Sequence, residues 1–190
     1  DDLLVDAQRR HQQVIDVARA AAADAGYAAI ATPIFEFVEV FARTLGDETD
    51  VVSKEMYVFE DRGGDRLALR PEGTAAVCRA LISNGLTQDL PFRAFYAGPM
   101  FRYERPQKGR RRQFHQIGAE LLGPRAPLAD VETLALGWRV LKRLGVADRV
   151  VLKINTLGDR AMRGRWSAAL ADVRRAKADV RSADSQRRLE

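Results

Sequence analysis

The spacing of hydrophobic residues predicts a helix, a strand and a second helix at the start of the chain. Apolar residues recur every three or four positions from Leu3 to Ala25, which predicts an amphipathic helix that ends at Gly26. The segment YAAIATP predicts a short strand that ends at Pro33, because the residue before a proline avoids helical geometry. IFEFVEVFARTLG then predicts a second amphipathic helix, and the polar segment GDETDVVSKE predicts a loop.

Alternating apolar and polar residues follow, and they predict a hairpin and then a helix. Residues 56–70 alternate on both sides of the turn sequence DRGGD, which predicts a β-hairpin. Pro71 suits the first turn of a helix, which is predicted to end near Gly85. The buried side of that helix is predicted to consist of Ala75, Cys78, Leu81 and Ile82.

The second half of the chain predicts further strands with helices between them. Strands are predicted at residues 92–97, 100–104 and 112–122. Gly98 and Pro99 are expected to interrupt the first two. The next helix has a predicted buried stripe of Val131, Leu134, Trp138 and Leu141. RVVLKIN predicts another strand and residues 160–181 a polar helix, so the fold class is α+β, an antiparallel β-sheet flanked by helices.

Length and composition restrict the class of protein. The chain has 190 residues, enough for one domain with a hydrophobic core. No apolar run approaches the roughly 20 residues that cross a bilayer, so no membrane partner is expected. One cysteine, Cys78, excludes an internal disulfide and fits a reducing compartment. With no signal sequence at the start, a cytoplasmic location is predicted.

Charge is distributed unevenly along the chain. Residues 1–100 carry a net charge of −6 and residues 101–190 a net charge of +11, which gives the total of +5. A segregated positive surface is typical of proteins that bind polyanions, because neutralised phosphates release counterions. High arginine usage alone can produce the same charge, so this observation leaves nucleic-acid binding open.

Basic residues are densest in FRYERPQKGRRRQFHQIGAE, residues 101–120, where six of them lie within eleven positions. If the segment after this loop is a strand, Phe114, Gln116, Gly118 and Glu120 share one face. This set would make a poor core and a suitable pocket floor. Guanidinium groups match phosphate oxygens and an aromatic ring stacks on a flat base, so ATP fits both demands. A solvated hairpin whose arginines face water is the alternative.

A second polar cluster lies in LRPEGT, at the predicted junction of a strand and a helix. Glu72 and Thr74 could bind an ammonium group there. A carboxylate and a hydroxyl are equally suited to capping a helix N-terminus. The residue types alone do not separate these two interpretations.

Several of these segments together resemble the histidyl-tRNA synthetase family of class II aminoacyl-tRNA synthetases. The resemblance rests on LRPEGTA, on FRYERPQKG and on QFHQIGAE, and it extends from about Leu3 to Asp159. It implies that residues 1–159 form part of a class II synthetase catalytic core. Residues 160–190 would be a helical segment that leads into the remainder of that domain.

The resemblance also implies which residues bind ATP. Arg102 would bind the α-phosphate and act as the catalytic residue, while Glu104 would contact the adenine amino group. Arg110 would reach the γ-phosphate, and Phe114 would stack on adenine. ATP and Mg²⁺ are the implied cofactors, and no residue is predicted to be a metal ligand.

The amino acid implied by the resemblance is L-histidine. Glu72, Thr74 and Gln116 would bind its α-ammonium group, and Glu120 would accept a hydrogen bond from its imidazole. The expected activity is that of a histidine–tRNA ligase, which forms histidyl-adenylate and transfers histidine to tRNA(His).

Two macromolecular partners follow from the same resemblance. Gln107 and Arg112 would approach the acceptor end of tRNA(His). AGYAAIATP resembles the first signature of the class, so a homodimer is expected through the region around Gly26–Pro33.

The sequence departs from the family pattern because the third signature, the histidine-specific segment and the anticodon-binding domain are absent. The 190 residues alone are therefore expected to have little or no aminoacylation activity. A regulatory, histidine-sensing paralogue, the regulatory subunit of ATP phosphoribosyltransferase, is the main alternative. The ATP set of Arg102, Glu104, Arg110 and Phe114 argues against it, because histidine sensing does not need these residues. A module that only binds RNA is a third interpretation.

Overall fold

The computed structural model describes residues 2–45, 51–105, 107–155 and 158–176. The chain divides into two compact units, Asp1–Val150 and Val151–Glu190. The helices are α1 (Val5–Asp24), α2 (Val38–Leu45), α3 (Thr74–Ser83), α4 (Pro127–Arg143) and α5 (Arg160–Ala176). The strands are β1 (Ala28–Ala29), β2 (Phe35–Phe37), β3 (Val58–Glu60), β4 (Arg66–Leu69), β5 (Phe92–Phe101) and β6 (Gln113–Leu122).

The larger sheet has the order β1-β5-β6 and carries the candidate site. Strands β5 and β6 form the expected antiparallel hairpin, whereas β1 pairs in parallel with β5, so this sheet is mixed. The predicted interruption at Gly98 and Pro99 is wrong, because β5 is continuous through both residues. The Pro99 carbonyl accepts a hydrogen bond from Arg70 Nε, on the side of β5 that does not face β6. Strand β1 is on that side too, but it pairs only with Ala94 and Phe95. The missing N–H of Pro99 therefore costs no ladder hydrogen bond.

The smaller sheet, β2-β4-β3, is antiparallel throughout. It contains the predicted hairpin, whose turn is closed by Asp61 accepting backbone hydrogen bonds from Gly63 and Asp65. The predicted second helix begins later than expected, because its first residues form β2 and pair with β4. Alternation in β2 buries Glu36 and exposes the residues on either side of it. Within the predicted polar loop, Val51–Glu55 forms a π-helical turn, and residues 46–50 lie outside the described residues.

The two faces of the larger sheet are covered by different helices. On one face, Val77 of α3 packs with Ala94, Tyr96 and Met100. On the other face, α1 and α4 cover Phe95 in a second buried cluster. Helix α3 begins at Thr74 instead of the predicted Pro71.

The predicted buried stripe of α4 is wrong. Val131 is 56% exposed, whereas Leu136 is buried against α1 and the sheet. On the same side of the helix as Leu136 and one turn earlier, Glu132 binds the guanidinium of Arg93 on β5 with two hydrogen bonds of 2.7 and 3.1 Å. Glu132 and Leu136 therefore mark the side of α4 that faces the sheet.

The segment RVVLKIN does not form the predicted strand in the part of the chain that the structure describes. Val151 and Ile154 are 78% and 72% exposed, and no described segment pairs with them. A strand requires a hydrogen-bonded neighbour, which the sequence pattern does not supply. The second unit contains α5, and the predicted helix beyond Ala176 lies outside the described residues. None of the helices described combines the length and the apolar composition needed to span a bilayer.

Candidate active site

The basic loop between β5 and β6 is fixed at both ends by backbone hydrogen bonds. The Arg102 N–H donates to the Arg112 carbonyl over 2.9 Å, which extends the pairing of β5 and β6 by one step. Further out, the Arg110 N–H donates to the Gln107 carbonyl over 2.9 Å. Gly109 lies in this turn with φ +83°, a left-handed conformation that glycine adopts without steric cost. The loop therefore holds its cations over one end of the sheet.

A cavity of about 480 Å³ opens at this end of the sheet. Its lining combines cations, one carboxylate and an aromatic ring, contributed by Arg102, Glu104, Gly109, Arg110, Arg111, Phe114 and His115. All four residues predicted to bind ATP are present in this set. The structure thus brings them to one concave surface, and their individual roles stay predictions.

Arg102 is oriented by contacts on two sides. Its Nε donates to the Pro71 carbonyl over 2.9 Å, and its guanidinium carbon lies 5.4 Å from the centre of the Phe114 ring. No described residue forms a hydrogen bond with the two terminal nitrogens of this guanidinium. Because these nitrogens are pre-positioned donors beside an aromatic ring, the arrangement suits a phosphate attached to a flat base.

Two other charged residues of the cavity, Arg110 and Glu104, are paired with each other. Arg110 lies 3.3 Å from Glu104, and the Arg110 side chain is the more exposed of the two. Arg112 donates from Nε to the Glu104 carbonyl over 3.4 Å and places its guanidinium 4.2 Å from the centre of the Tyr103 ring. The side chain of Gln107 is exposed. Gln107 and Arg112 therefore lie at the surface of the loop, where a large ligand can approach them.

A second cluster surrounds the N-terminus of α3. The carboxylate of Glu72, only 7% exposed, accepts backbone hydrogen bonds from Thr74 over 2.5 Å and from Ala75 over 2.9 Å. Glu72 therefore caps the helix, which explains why α3 begins at Thr74 and why Pro71 precedes it. The Gly73 N–H donates to the side-chain oxygen of Gln116 over 3.1 Å. This bond joins the helix terminus to β6.

Glu120 of β6 completes this cluster. Its Oε1 accepts hydrogen bonds from the Thr74 hydroxyl over 2.8 Å and from the Tyr96 hydroxyl over 3.3 Å. The ring of Tyr96 occupies the space between Gly73 and Gly118, where a Cβ on either glycine would overlap it. Burial of the Tyr96 phenol, followed by the nearby charge of Glu120, raises its pKa. All four residues predicted to bind the amino acid therefore lie together beside α3.

Arg70 joins the segment before α3 to β5 and to Thr32, and sequence reasoning did not identify it. Its backbone carbonyl accepts a hydrogen bond from the Phe101 N–H, and its Nε donates to the Pro99 carbonyl, each over 2.9 Å. Its Nη1 donates to the Thr32 carbonyl over 2.9 Å. Burial lowers the pKa of this guanidinium. A charged residue between the apolar end of β4, Leu67–Leu69, and Pro71 was the available signal.

The predicted division of β6 into two faces is confirmed at His115. Its ring contacts the ring of His11 on α1 with a centroid distance of 4.2 Å, on the face opposite Phe114, although His115 also lines the edge of the cavity. Burial, and secondarily the neighbouring His11, lowers the pKa of His115. Among the described residues, no group of three or more His, Cys, Asp or Glu side chains could hold a metal ion.

Comparison with solved structures defines the class of the fold. Apo histidyl-tRNA synthetase from S. aureus matches with a TM-score of 0.69 and 32% identity, over 100% of this chain and 44% of that chain. A structure described as an ATP phosphoribosyltransferase regulatory subunit/histidyl-tRNA synthetase from Bacillus halodurans C matches 76% of this chain and 36% of its own, with a TM-score of 0.66 and 28% identity. The fold is that of the catalytic domains of class II aminoacyl-tRNA synthetases.

Sequence comparison identifies the family within that class. The family model for histidyl-tRNA synthetase matches residues 1–159, and the chain belongs to this family. It is 61% identical over 189 residues to the histidine–tRNA ligase of Gluconacetobacter diazotrophicus. That match covers 100% of this chain and 46% of the relative, so the chain spans about half the length of the curated relative.

Proposed function

We propose that the full-length protein containing this chain is a histidine–tRNA ligase that activates L-histidine with ATP. The observation that carries the proposal is the hydrogen bond from Arg102 Nε to the Pro71 carbonyl. This bond ties the cation of the cavity to the segment that leads directly into Glu72 and Thr74. Two clusters with different chemistry, one suited to a nucleotide and one to an amino acid, are thereby held side by side on one sheet face.

ATP would occupy the cavity beneath the basic loop. Phe114 would stack on adenine, Glu104 would accept from its amino group, and Arg102 would bind the α-phosphate with its terminal nitrogens. Arg110, with its exposed side chain, would exchange its contact with Glu104 for the γ-phosphate. Mg²⁺ would enter as the Mg²⁺–ATP complex, because this ion prefers phosphate oxygens and water to protein cages.

Histidine would bind at the N-terminus of α3. Glu72 uses its two oxygens for the helix cap, yet each carboxylate oxygen has a second lone pair that can accept from an ammonium group. The Thr74 hydroxyl and the Gln116 oxygen lie beside it, and Glu120 would accept from the imidazole N–H. The negative charge of this cluster suits a positively charged amino group.

Adjacent binding brings the reacting atoms together. A carboxylate oxygen of histidine would attack the α-phosphorus and displace pyrophosphate, which gives histidyl-adenylate. Arg102 would stabilise the charge that develops on the phosphorus oxygens. The ribose hydroxyl of the terminal adenosine of tRNA(His) would then attack the carbonyl carbon and release AMP. Gln107 and Arg112, whose side chains are exposed, would approach the acceptor end of the tRNA.

A second copy of the chain is the other proposed partner. The segment Gly26–Pro33 is adjacent to the smaller sheet, whose outer face exposes Phe35, Phe37 and Phe59. Phe35 and Phe59 contact each other edge to face at 6.2 Å, so they form a continuous apolar patch. Contiguous aromatic surface of this kind is typical of homodimer interfaces.

The proposal is tested by ATP–pyrophosphate exchange with the purified full-length protein. Exchange should require histidine and should be absent with each of the other nineteen amino acids. Binding of histidine without exchange would favour a regulatory, histidine-sensing protein. Binding of RNA with no binding of histidine or Mg²⁺–ATP would favour an RNA-binding module. Either of the last two results would overturn the ligase assignment.

A further inference from the structure

Tyr96 lies beneath the amino-acid cluster in a position that its neighbours determine. It faces Gly118 directly in the pairing of β5 and β6, and Gly73 covers its ring from the α3 side. A Cβ on either glycine would overlap the ring, so both glycines leave room for this aromatic side chain. Because the slot admits one ring orientation, the Tyr96 hydroxyl is directed at Glu120.

The carboxylate of Glu120 is bound asymmetrically. Both hydroxyl donors, Thr74 and Tyr96, bind the same oxygen, Oε1. No hydrogen bond to Oε2 is formed by any residue that the structure describes. Two donors on one oxygen fix the plane of the carboxylate and leave the second oxygen as the acceptor for a ligand.

The Tyr96 phenol can donate a hydrogen bond to Glu120 only while it carries its proton. Burial raises the pKa of Tyr96, and the charge of Glu120 raises it further. The hydroxyl is therefore a donor throughout the physiological pH range. Its hydrogen bond to the carboxylate is charge-assisted, and at 3.3 Å it is longer and weaker than the 2.8 Å bond from Thr74, so it adds a second restraint on the orientation of Glu120.

We propose that Tyr96 is a positioning residue for amino-acid recognition, which holds Oε1 of Glu120 so that Oε2 is presented to an N–H donor on the substrate side chain. The inference rests on the proposed function, because the substrate ring is that of histidine. Tyr96 acts through Glu120 and does not line the cavity proposed for ATP, so its removal should weaken binding of the amino acid selectively.

The test is the Tyr96→Phe variant of the full-length protein, assayed by histidine-dependent ATP–pyrophosphate exchange. Phenylalanine keeps the ring between the two glycines and removes only the hydroxyl. Loss of one long hydrogen bond to a carboxylate predicts a KM for histidine raised about threefold to tenfold, with an unchanged KM for ATP. Thr133→Val is the control, because it also removes a half-buried hydroxyl, but one on α4 on the opposite face of the sheet, where it donates to the Ala129 carbonyl.

The possible results separate the inference from the function on which it rests. If the wild-type protein shows no histidine-dependent exchange, the proposed function itself fails. If the wild type is active and Tyr96→Phe leaves the KM for histidine unchanged, the inference alone is overturned. An equal rise in both KM values, or a rise of the same size in Thr133→Val, would show a general structural role and would also overturn it.

Discussion

The charged side chains of the site differ in how many of their hydrogen-bonding groups are already bound to other residues of the protein. Arg102 keeps its terminal nitrogens available, whereas Arg110 is paired with Glu104 and the Glu72 carboxylate caps a helix. A ligand meets Arg102 without first breaking an ion pair. This residue should therefore contribute more to transition-state stabilisation than Arg110, whose contact with Glu104 must be exchanged.

Replacing Arg102 tests this difference. Arg102→Ala in the full-length protein should slow histidine-dependent ATP–pyrophosphate exchange about a hundredfold to a thousandfold, the usual cost of removing a pre-positioned charge donor. Arg62→Ala is the control, because Arg62 is exposed in the turn between β3 and β4. A near-normal exchange rate in Arg102→Ala would refute the assigned role.

His115 provides a prediction about pH. Its pKa lies below the ordinary 6.5, so the unfolded chain binds the proton more readily than the folded chain. The contribution of His115 to stability is therefore complete above about pH 6.5 and is lost as the pH falls through the lower, folded pKa. In urea unfolding at pH 7.5 and pH 5.5, His115→Gln should lose less stability on acidification than the wild type. An equal loss in both proteins would contradict the shift.

The helices and strands of the site meet at places where glycine is required by its neighbours. The Tyr96 ring separates α3 from β6 and leaves no volume for a Cβ at Gly118. By contrast, the Cβ position at Gly137 in α4 has no heavy atom within 4 Å. The same substitution should therefore have opposite effects on stability in these two elements.

Paired glycine variants measure this contrast. Gly118→Ala should lower the free energy of unfolding by about 1 to 3 kcal/mol, because overpacking moves the Tyr96 ring or the backbone. Gly137→Ala should raise it by up to about 1 kcal/mol through helix propensity. Both free energies of unfolding are measured by chemical denaturation of each variant and of the wild type under the same conditions. Equal effects in the two variants would show that the Tyr96 contact is unimportant.

Local sequence patterns predicted the secondary-structure elements of the site more accurately than they predicted the elements around it. Alternation in β6 correctly placed Phe114 and Glu120 on one face, because the period of a strand is fixed by its backbone. The stripe of α4 was mispredicted, because the side of that helix that faces the sheet is set by long-range contacts, among them the burial of Leu136 and the pair of Glu132 with Arg93. Such long-range pairs have no local signal in the sequence. Tyr96 was missed for the same reason, since its role depends on the register of two strands.

At the scale of the whole molecule, residues 1–100 carry a net negative charge, the loop between β5 and β6 is basic, and the smaller sheet exposes an aromatic face. Phe35 and Phe37 are 51% and 52% exposed on the outer face of the smaller sheet. Burial of this face against a second copy would remove it from water, which is the main driving force for association. The proposed dimer therefore makes a prediction that does not depend on catalysis.

Charged substitutions on the aromatic face should separate the subunits. The double variant Phe35→Glu and Phe59→Glu of the full-length protein should have half the molar mass of the wild type by size-exclusion chromatography with light scattering. Leu128→Glu is the control, because Leu128 is an exposed apolar residue on α4. A wild-type protein that is monomeric, or a double variant that remains dimeric, would contradict this interface.

The adjacency of the nucleotide and amino-acid clusters is tested most directly by a crystal structure of the full-length protein with a non-hydrolysable histidyl-adenylate analogue. The expected structure has adenine stacked on Phe114, the group replacing the α-phosphate against the Arg102 guanidinium, and the imidazole N–H donating to Glu120 Oε2. An analogue bound with its adenine away from Phe114, or with its imidazole out of reach of Glu120, would contradict it.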